Sequence, residues 1–167
     1  MLAEEDSAMA VRERVTILGN TSPGFNVEFP VGQRSANHRS DVMLVQAMFN
    51  LLVDGFEGRR ITGIQTGMKS GKEIPKINGE ADAVTLAAIR TFQRRWAHNI
   101  LMTDGIIDPA RYFGRDIQTT GTGLMTITLM HQLLQNVAAE NFQEEDYTDF
   151  MFWRFPELRV WVRDFYR

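Results

Sequence analysis

The hardest constraint on this chain is a glycine turn followed by a helix at fixed spacing. In "INGEADAVTLAAIRTFQRRW", Ile77 to Trp96, Asn78-Gly79 supplies the positive φ of a tight reversal; Thr85 follows Gly79 by six residues and Phe92-Gln93 comes seven after that. Asp82 or Thr85 is placed to cap a helix over 83–96, accepting from its free N–H groups. On that helix Ile89, Phe92 and Trp96 share a face, with Thr85 and Leu86 a turn earlier, while Arg90, Arg94 and Arg95 lie largely off it. A second glycine turn, Asp104-Gly105 in "TDGIIDP", comes next. The fixed order suggests one small unit built twice from the same parts.

Upstream, "HRSDVMLVQAMFNLLVDG" predicts a helix, with Ser40 as N-cap, Asp41 complementing the dipole in the first turn, and Gly55 ending it. Val42, Val45, Phe49 and Leu52 make one apolar face; Leu44, Met48 and Leu51 make a second, so this helix belongs deep in a packed body. Phe92 and Trp96 are expected to pack on Val45 and Phe49. Gln46 and Gln93 each sit beside an apolar face, with amides placed to bond turn backbone or, alternatively, a ligand. A third helix is predicted over roughly 124–141, carrying Ile127, Met130, Leu134 and Val137 on one side. Residues 1–14 read as a frayed or weakly helical lead, "RVTILG" as a short strand and "FNVEFPVG" as an extended piece kept at an edge by Pro30. The glycine-rich stretch over 56–79 reads as a long loop or loose hairpin, and its glycines lack the spacing of a phosphate loop. In the tail, Leu158, Trp161, Val162 and Phe165 follow helical spacing from Pro156, and "RVWV" leaves a strand as the weaker reading.

Composition narrows the function classes. The chain has 167 residues, 44 % of them hydrophobic, enough for a real core. A net charge of −3 argues against nucleic acid as the main partner, and the lack of cysteine removes disulfides and thiolate metal sites. The N-terminus is acidic and lacks an apolar core, so no ordinary signal peptide is read, and no run is long enough to span a bilayer. The protein is expected in the cytoplasm as synthesised, leaving it, if at all, through a dedicated machine or in a phage.

These residues resemble the type-1 peptidoglycan-binding domain. Its pattern is a helix with Leu-Gln or Val-Gln, an Asp-Gly-x-Phe-Gly-x-x-Thr turn, a helix reading Ala-Val/Ile-x-x-Phe-Gln, and a second Asp-Gly turn. Val45-Gln46, Asn78-Gly79, Thr85, Ala88-Ile89, Phe92-Gln93 and Asp104-Gly105 stand at those positions, over roughly residues 31–109. Asn78, Ala81 and Asp82 replace the pattern's Asp, Phe and Gly. The resemblance implies a mainly α fold: a three-helix peptidoglycan-binding-like bundle over 31–115, preceded by a lead with a short β segment over 1–30 and followed by a helical extension over 116–167. It also implies non-catalytic binding of cell-wall peptidoglycan, a polar ligand with acidic peptide stems. Arg90, Arg94, Arg95 and Trp96 are the candidate contacts, against the plainer reading of Trp96 as core and the arginines as a solvated face. Gln46, Asn78, Gly79, Thr85, Phe92, Gln93, Asp104 and Gly105 are expected to define turns and core.

Catalysis has thin support. His38, His98 and His131 are scattered and form no metal motif, and no serine sits in a nucleophile elbow. No cofactor or metal is expected. The acidic run "AENFQEEDYTD" offers a third reading, a small wall hydrolase with Glu140 as acid and Asp146 or Asp149 as partner. The second is a protein–protein adaptor in a secretion or phage assembly, using the aromatic segment Phe150 to Tyr166.

Overall fold

A hairpin near the N-terminus organises the chain. Strand β1 (Ala10–Ile17) pairs antiparallel with β2 (Asn20–Asn26), Val11 opposite Asn26 and Ile17 opposite Asn20. The computed structural model describes residues 9–17, 19–54, 66–68, 71–100, 102–110, 116–117, 124–141 and 146–165. After the hairpin come β3 (Val31–Gly32), helix α1 (Arg39–Asp54), a 3-10 turn at Gly71–Glu73, α2 (Ala83–Arg95), β4 (Ile106–Ile107), β5 (Asp116–Ile117), α3 (Thr126–Asn141), α4 (Tyr147–Arg154), α5 (Leu158–Trp161) and β6 (Val162–Asp164).

The expectation of a mainly α bundle is overturned. The protein is mixed α/β, with β1 at the centre of a sheet. Along its other edge β1 pairs parallel with β5 at Thr16–Asp116 and with β6 at Ala10–Val162, so both ends of the described chain lie in one sheet. β3 and β4 make a separate antiparallel pair. Residues 10–14 are strand rather than helical lead. The tail also differs from its expected single helix: α4 precedes Pro156, α5 lasts four residues, and the chain then extends into β6, leaving Phe165 exposed. Of the loop reading over 56–79, residues 56–65, 69 and 70 lie outside the described residues; the described remainder carries the 3-10 turn Gly71–Glu73 and otherwise bends and irregular chain. α1 begins at Arg39, so Ser40 lies inside its first turn instead of capping it.

The core is continuous. Val42, Val45, Phe49 and Leu52 of α1 are all buried with Ile89 and Phe92 of α2, Ile127, Met130 and Leu134 of α3, and Phe25 of β2. Phe49 and Phe92 meet edge to face at 5.8 Å. In α4, Tyr147, Phe150, Met151 and Phe152 are buried, Phe25 meeting Tyr147 and Phe152 edge to face.

The sheet carries charge inside the protein, and each group is tied to a distant segment. Arg12 is 3 % exposed. Its guanidinium donates to Thr148 Oγ1 at 2.9 Å, Asp149 Oδ1 at 2.8 Å and Asp164 Oδ2 at 3.2 Å, and lies 5.5 Å from the Phe152 ring centroid. One side chain thus links β1 to α4 and β6; a buried cation is tolerated only with such pairing. Asp41 of α1 is fully buried and accepts from the Glu28 and Phe29 N–H groups at 2.8 and 3.0 Å. Burial pushes its pKa up to about 6, opposed by those two bonds. Asn26 exchanges two hydrogen bonds with Ala110 backbone and donates to Glu13 Oε1 at 3.0 Å. Glu13 Oε2 is buried without a partner among the described residues.

Burial lifts the Glu13 pKa to about 7, against the Asn26 hydrogen bond that lowers it. The folded state therefore holds this proton more tightly than the unfolded chain. The resulting stabilisation is complete below pH 4.5 and is lost as pH rises through about 7. Glu13→Gln is expected to flatten this part of the stability–pH curve, worth about 3 kcal/mol between those limits. Urea unfolding at several pH values, read as the difference between the two chains, cancels Asp41 and His131 and checks it.

Candidate functional site

Two buried side-chain amides build the region around α2. Gln46, on α1, is fully buried. Its Oε1 accepts the N–H groups of Asn78 at 3.0 Å and Gly79 at 2.9 Å. Its Nε2 donates to Glu80 O at 2.9 Å, Asn78 Oδ1 at 3.0 Å and Thr85 Oγ1 at 3.0 Å. Asn78 Oδ1 also accepts from Glu80 N–H, closing a side-chain turn, and Asp82 caps α2 by accepting from Thr85 N–H at 2.8 Å.

Gln93, on α2, repeats the arrangement at the next turn. Its Oε1 accepts Gly105 N–H at 2.7 Å, and its Nε2 donates to Ile106 O at 2.8 Å and Thr126 Oγ1 at 3.1 Å. Asp104 Oδ1 accepts Ile106 N–H at 3.0 Å. All three Gln93 bonds have a counterpart at Gln46: Gly105 with Gly79, Ile106 with Glu80, Thr126 with Thr85; the Asp104 side-chain turn matches that of Asn78, to which Gln46 makes two further bonds. Gly79 and Gly105 take φ of 76° and 81°, which admits the turn at no steric cost. The stems of Arg39 and Met43 lie over Gly79, and the stem of Arg90 lies over Gly105. The unit is thus helix, clamped turn, helix, built twice with α2 shared. Thr126, which starts α3, was not singled out from sequence. The signal for it is weak, a threonine opening an apolar helix after a stretch rich in Thr and Gly.

The candidate ligand residues do not form one patch. Arg90, Arg94 and Arg95 are exposed, while Trp96 is half-buried, packs on Phe92 at 6.4 Å between centroids and turns toward the core side of α2. The helical repeat sets Arg94 and Arg95 on either side of the line Ala87–Thr91. That line is the floor of a groove of about 240 Å³ between α2 and the segment before it, with Met68, Lys72 and Glu73 as the opposite wall. Arg95 flanks the groove where Gly67 approaches Thr91. Arg90 lies farther round, its stem on the Gly105 turn.

The other candidates have structural engagements. Asp146 caps α4 by accepting from Thr148 and Asp149 N–H groups, and Asp149 pairs with Arg12. The Glu140 side chain lies outside the described residues. His38 stacks on Phe29 at 4.4 Å and His98 is exposed. His131 is buried, bonds Tyr147 Oη through Nδ1 at 2.9 Å, and has its pKa lowered to about 4 by desolvation. Among the described residues no group of three His, Asp or Glu side chains is placed to hold a metal ion, and no helix is long and apolar enough to cross a membrane. No family model matches the chain, and neither does any curated protein or solved structure.

Replacing Gln46 or Gln93 by Leu strands buried turn N–H groups without an acceptor. Each change is expected to cost at least about 2 kcal/mol in urea unfolding, whereas Arg94→Ala stays within about 0.5 kcal/mol of the parent.

Proposed function

We propose that the protein is a non-catalytic binding module for bacterial cell-wall peptidoglycan, and that the ligand lies along the groove between α2 and Met68–Glu73. The observation that carries this reading is the groove itself: small floor residues, Ala83, Ala87 and Thr91, with Lys72 and Glu73 on the opposite wall, Arg95 beside its Thr91 end and Arg94 next to it on the helical repeat. Small side chains leave room for a sugar face, and arginine suits the carboxylates of a peptide stem through paired N–H donors. The two glutamine clamps support the reading in a second way, because they occupy the positions on which the resemblance to peptidoglycan-binding domains rests. Trp96 then serves by holding α2 against the core.

Exposure of Trp153, Val160 and Phe165, at 69 %, 70 % and 56 %, favours a second reading, an adaptor that docks a protein partner through its C-terminal segment. The commitment of Asp146 and Asp149 to a helix cap and to Arg12 weighs against a hydrolase.

Purified sacculi separate these readings. The parent chain is expected to sediment with them, and Arg94→Ala/Arg95→Ala to reduce retention about tenfold, the loss of one charge-assisted contact. No clearing of sacculus turbidity is expected. A parent chain that stays in the supernatant contradicts wall binding and leaves the adaptor.

A further inference from the structure

A separate cleft, sharing no lining residue with the α2 groove, opens between the tip of the β1–β2 hairpin and α3. It measures about 150 Å³ and is lined by Ile17, Asn20, Ser22, His131, Gln135 and Asn136 among others. No charged side chain lines it among the described residues. Gly24 makes the approach possible: a Cβ there would sit 2.6 Å from Val15 Cγ2 and 2.7 Å from His131 Nδ1, both buried and unable to retreat.

The polar atoms of this cleft are set in donor and acceptor roles. Tyr147 Oη accepts from Phe25 N–H at 3.3 Å and stands 2.9 Å from His131 Nδ1. Donation from the tyrosine hydroxyl to Nδ1 satisfies both groups and places the imidazole proton on Nε2. Desolvation keeps the ring neutral. Nε2 then presents a donor toward the cleft, with Ser22 Oγ at 3.5 Å, too long for a firm bond. One helical turn on, Gln135 Oε1 is buried with no partner among the described residues. A buried donor with one long contact and a buried acceptor with none among the described residues flank a small opening walled by Asn20, Asn136 and the apolar Ile17.

From this geometry we propose that the cleft is a binding site for one neutral, hydroxyl- or amide-bearing sugar residue. The volume is well below the roughly 300–1,000 Å³ of drug-sized sites and admits a single ring. An uncharged lining of amides, hydroxyl and imidazole matches the paired donors and acceptors of a sugar and offers nothing to neutralise an anion. His131 Nε2–H donates to a ligand oxygen, and Gln135 Oε1 accepts from a hydroxyl or amide N–H. The site is independent of the α2 groove, and its existence does not rest on wall binding there.

The test is an NMR titration of the 15N-labelled full chain with N-acetylglucosamine and with glucose, using sulfate as the anionic control. Saturable shifts are expected at the backbone amides of Ser22, Gln135 and Asn136 and at the His131 ring, with sulfate producing none. A response to N-acetylglucosamine alone assigns the acetamido group as the anchor; a response to both assigns ring hydroxyls; either supports the site. Gln135→Leu and Ser22→Ala, both at part-exposed positions, are each expected to weaken binding at least tenfold with the thermal unfolding midpoint unchanged. Arg94→Ala/Arg95→Ala leaves the titration unaltered, which separates this site from the groove. The absence of saturable shifts in the parent chain overturns the proposal, as does an equal response to sulfate or a titration that both cleft variants leave intact.

Discussion

Everything around α2 depends on two primary amides buried at the ends of apolar faces. An Asn-Gly or Asp-Gly turn exposes backbone N–H and C=O groups, and such groups cannot enter a core unless they are bonded. Gln46 and Gln93 each supply an acceptor and a donor at the same place, so the turns fold inward against the helices instead of lying out in water. The consequence is mechanical. α2 is held at its start by Gln46 acting through Asn78, Glu80 and Thr85, and toward its end by Gln93 acting on Gly105 and on Thr126 of α3. A helix pinned at both ends presents its outer face, with Ala87, Thr91, Arg94 and Arg95, in one fixed orientation, which a binding surface requires.

The sheet supplies a second closure. β1 pairs with β2 beside it in sequence and with β6 at the other end of the chain, and Arg12 binds Thr148, Asp149 and Asp164 across that junction. Several ion-pairing and hydrogen-bonding partners for one buried guanidinium, Asp146 at 3.7 Å among them, are what its desolvation demands. The arrangement packs the aromatic tail inward: Tyr147, Phe150, Phe152 and Leu158 become core, and Trp153, Val160 and Phe165 remain outside.

Legibility in the sequence divides along the range of the interactions. α1 and α2 were readable because their apolar periodicity is local, and the turns because glycine marks positive φ. The glutamines could be singled out because each stands beside an apolar face near such a turn. The second half of β1 was readable as the strand in "RVTILG"; its first half was hidden by its own content. "VRERV" sets three consecutive charges between two valines and resembles a solvated lead, and partners 136 and 137 residues away, Thr148 and Asp149, are what make burial of Arg12 possible. Glu13 was hidden in the same way by its bond to Asn26. β6 is three residues long and exists through pairing with β1, so the helical spacing of Leu158, Trp161, Val162 and Phe165 misled beyond Trp161. Trp96 and the arginines were grouped because the expected ligand suits cations beside an aromatic edge, whereas the helical repeat, itself readable in the sequence, sends the tryptophan to the core and the arginines to solvent.

Amide hydrogen exchange at Gly79 and Gly105 tests the central claim most directly. Both N–H groups belong to short turns, and both donate to a buried glutamine oxygen. The account predicts that they exchange as slowly as the interior amides of α1, opening only with the whole fold. Exchange at the rate of an open surface turn in the parent chain, with α1 still protected, would contradict it.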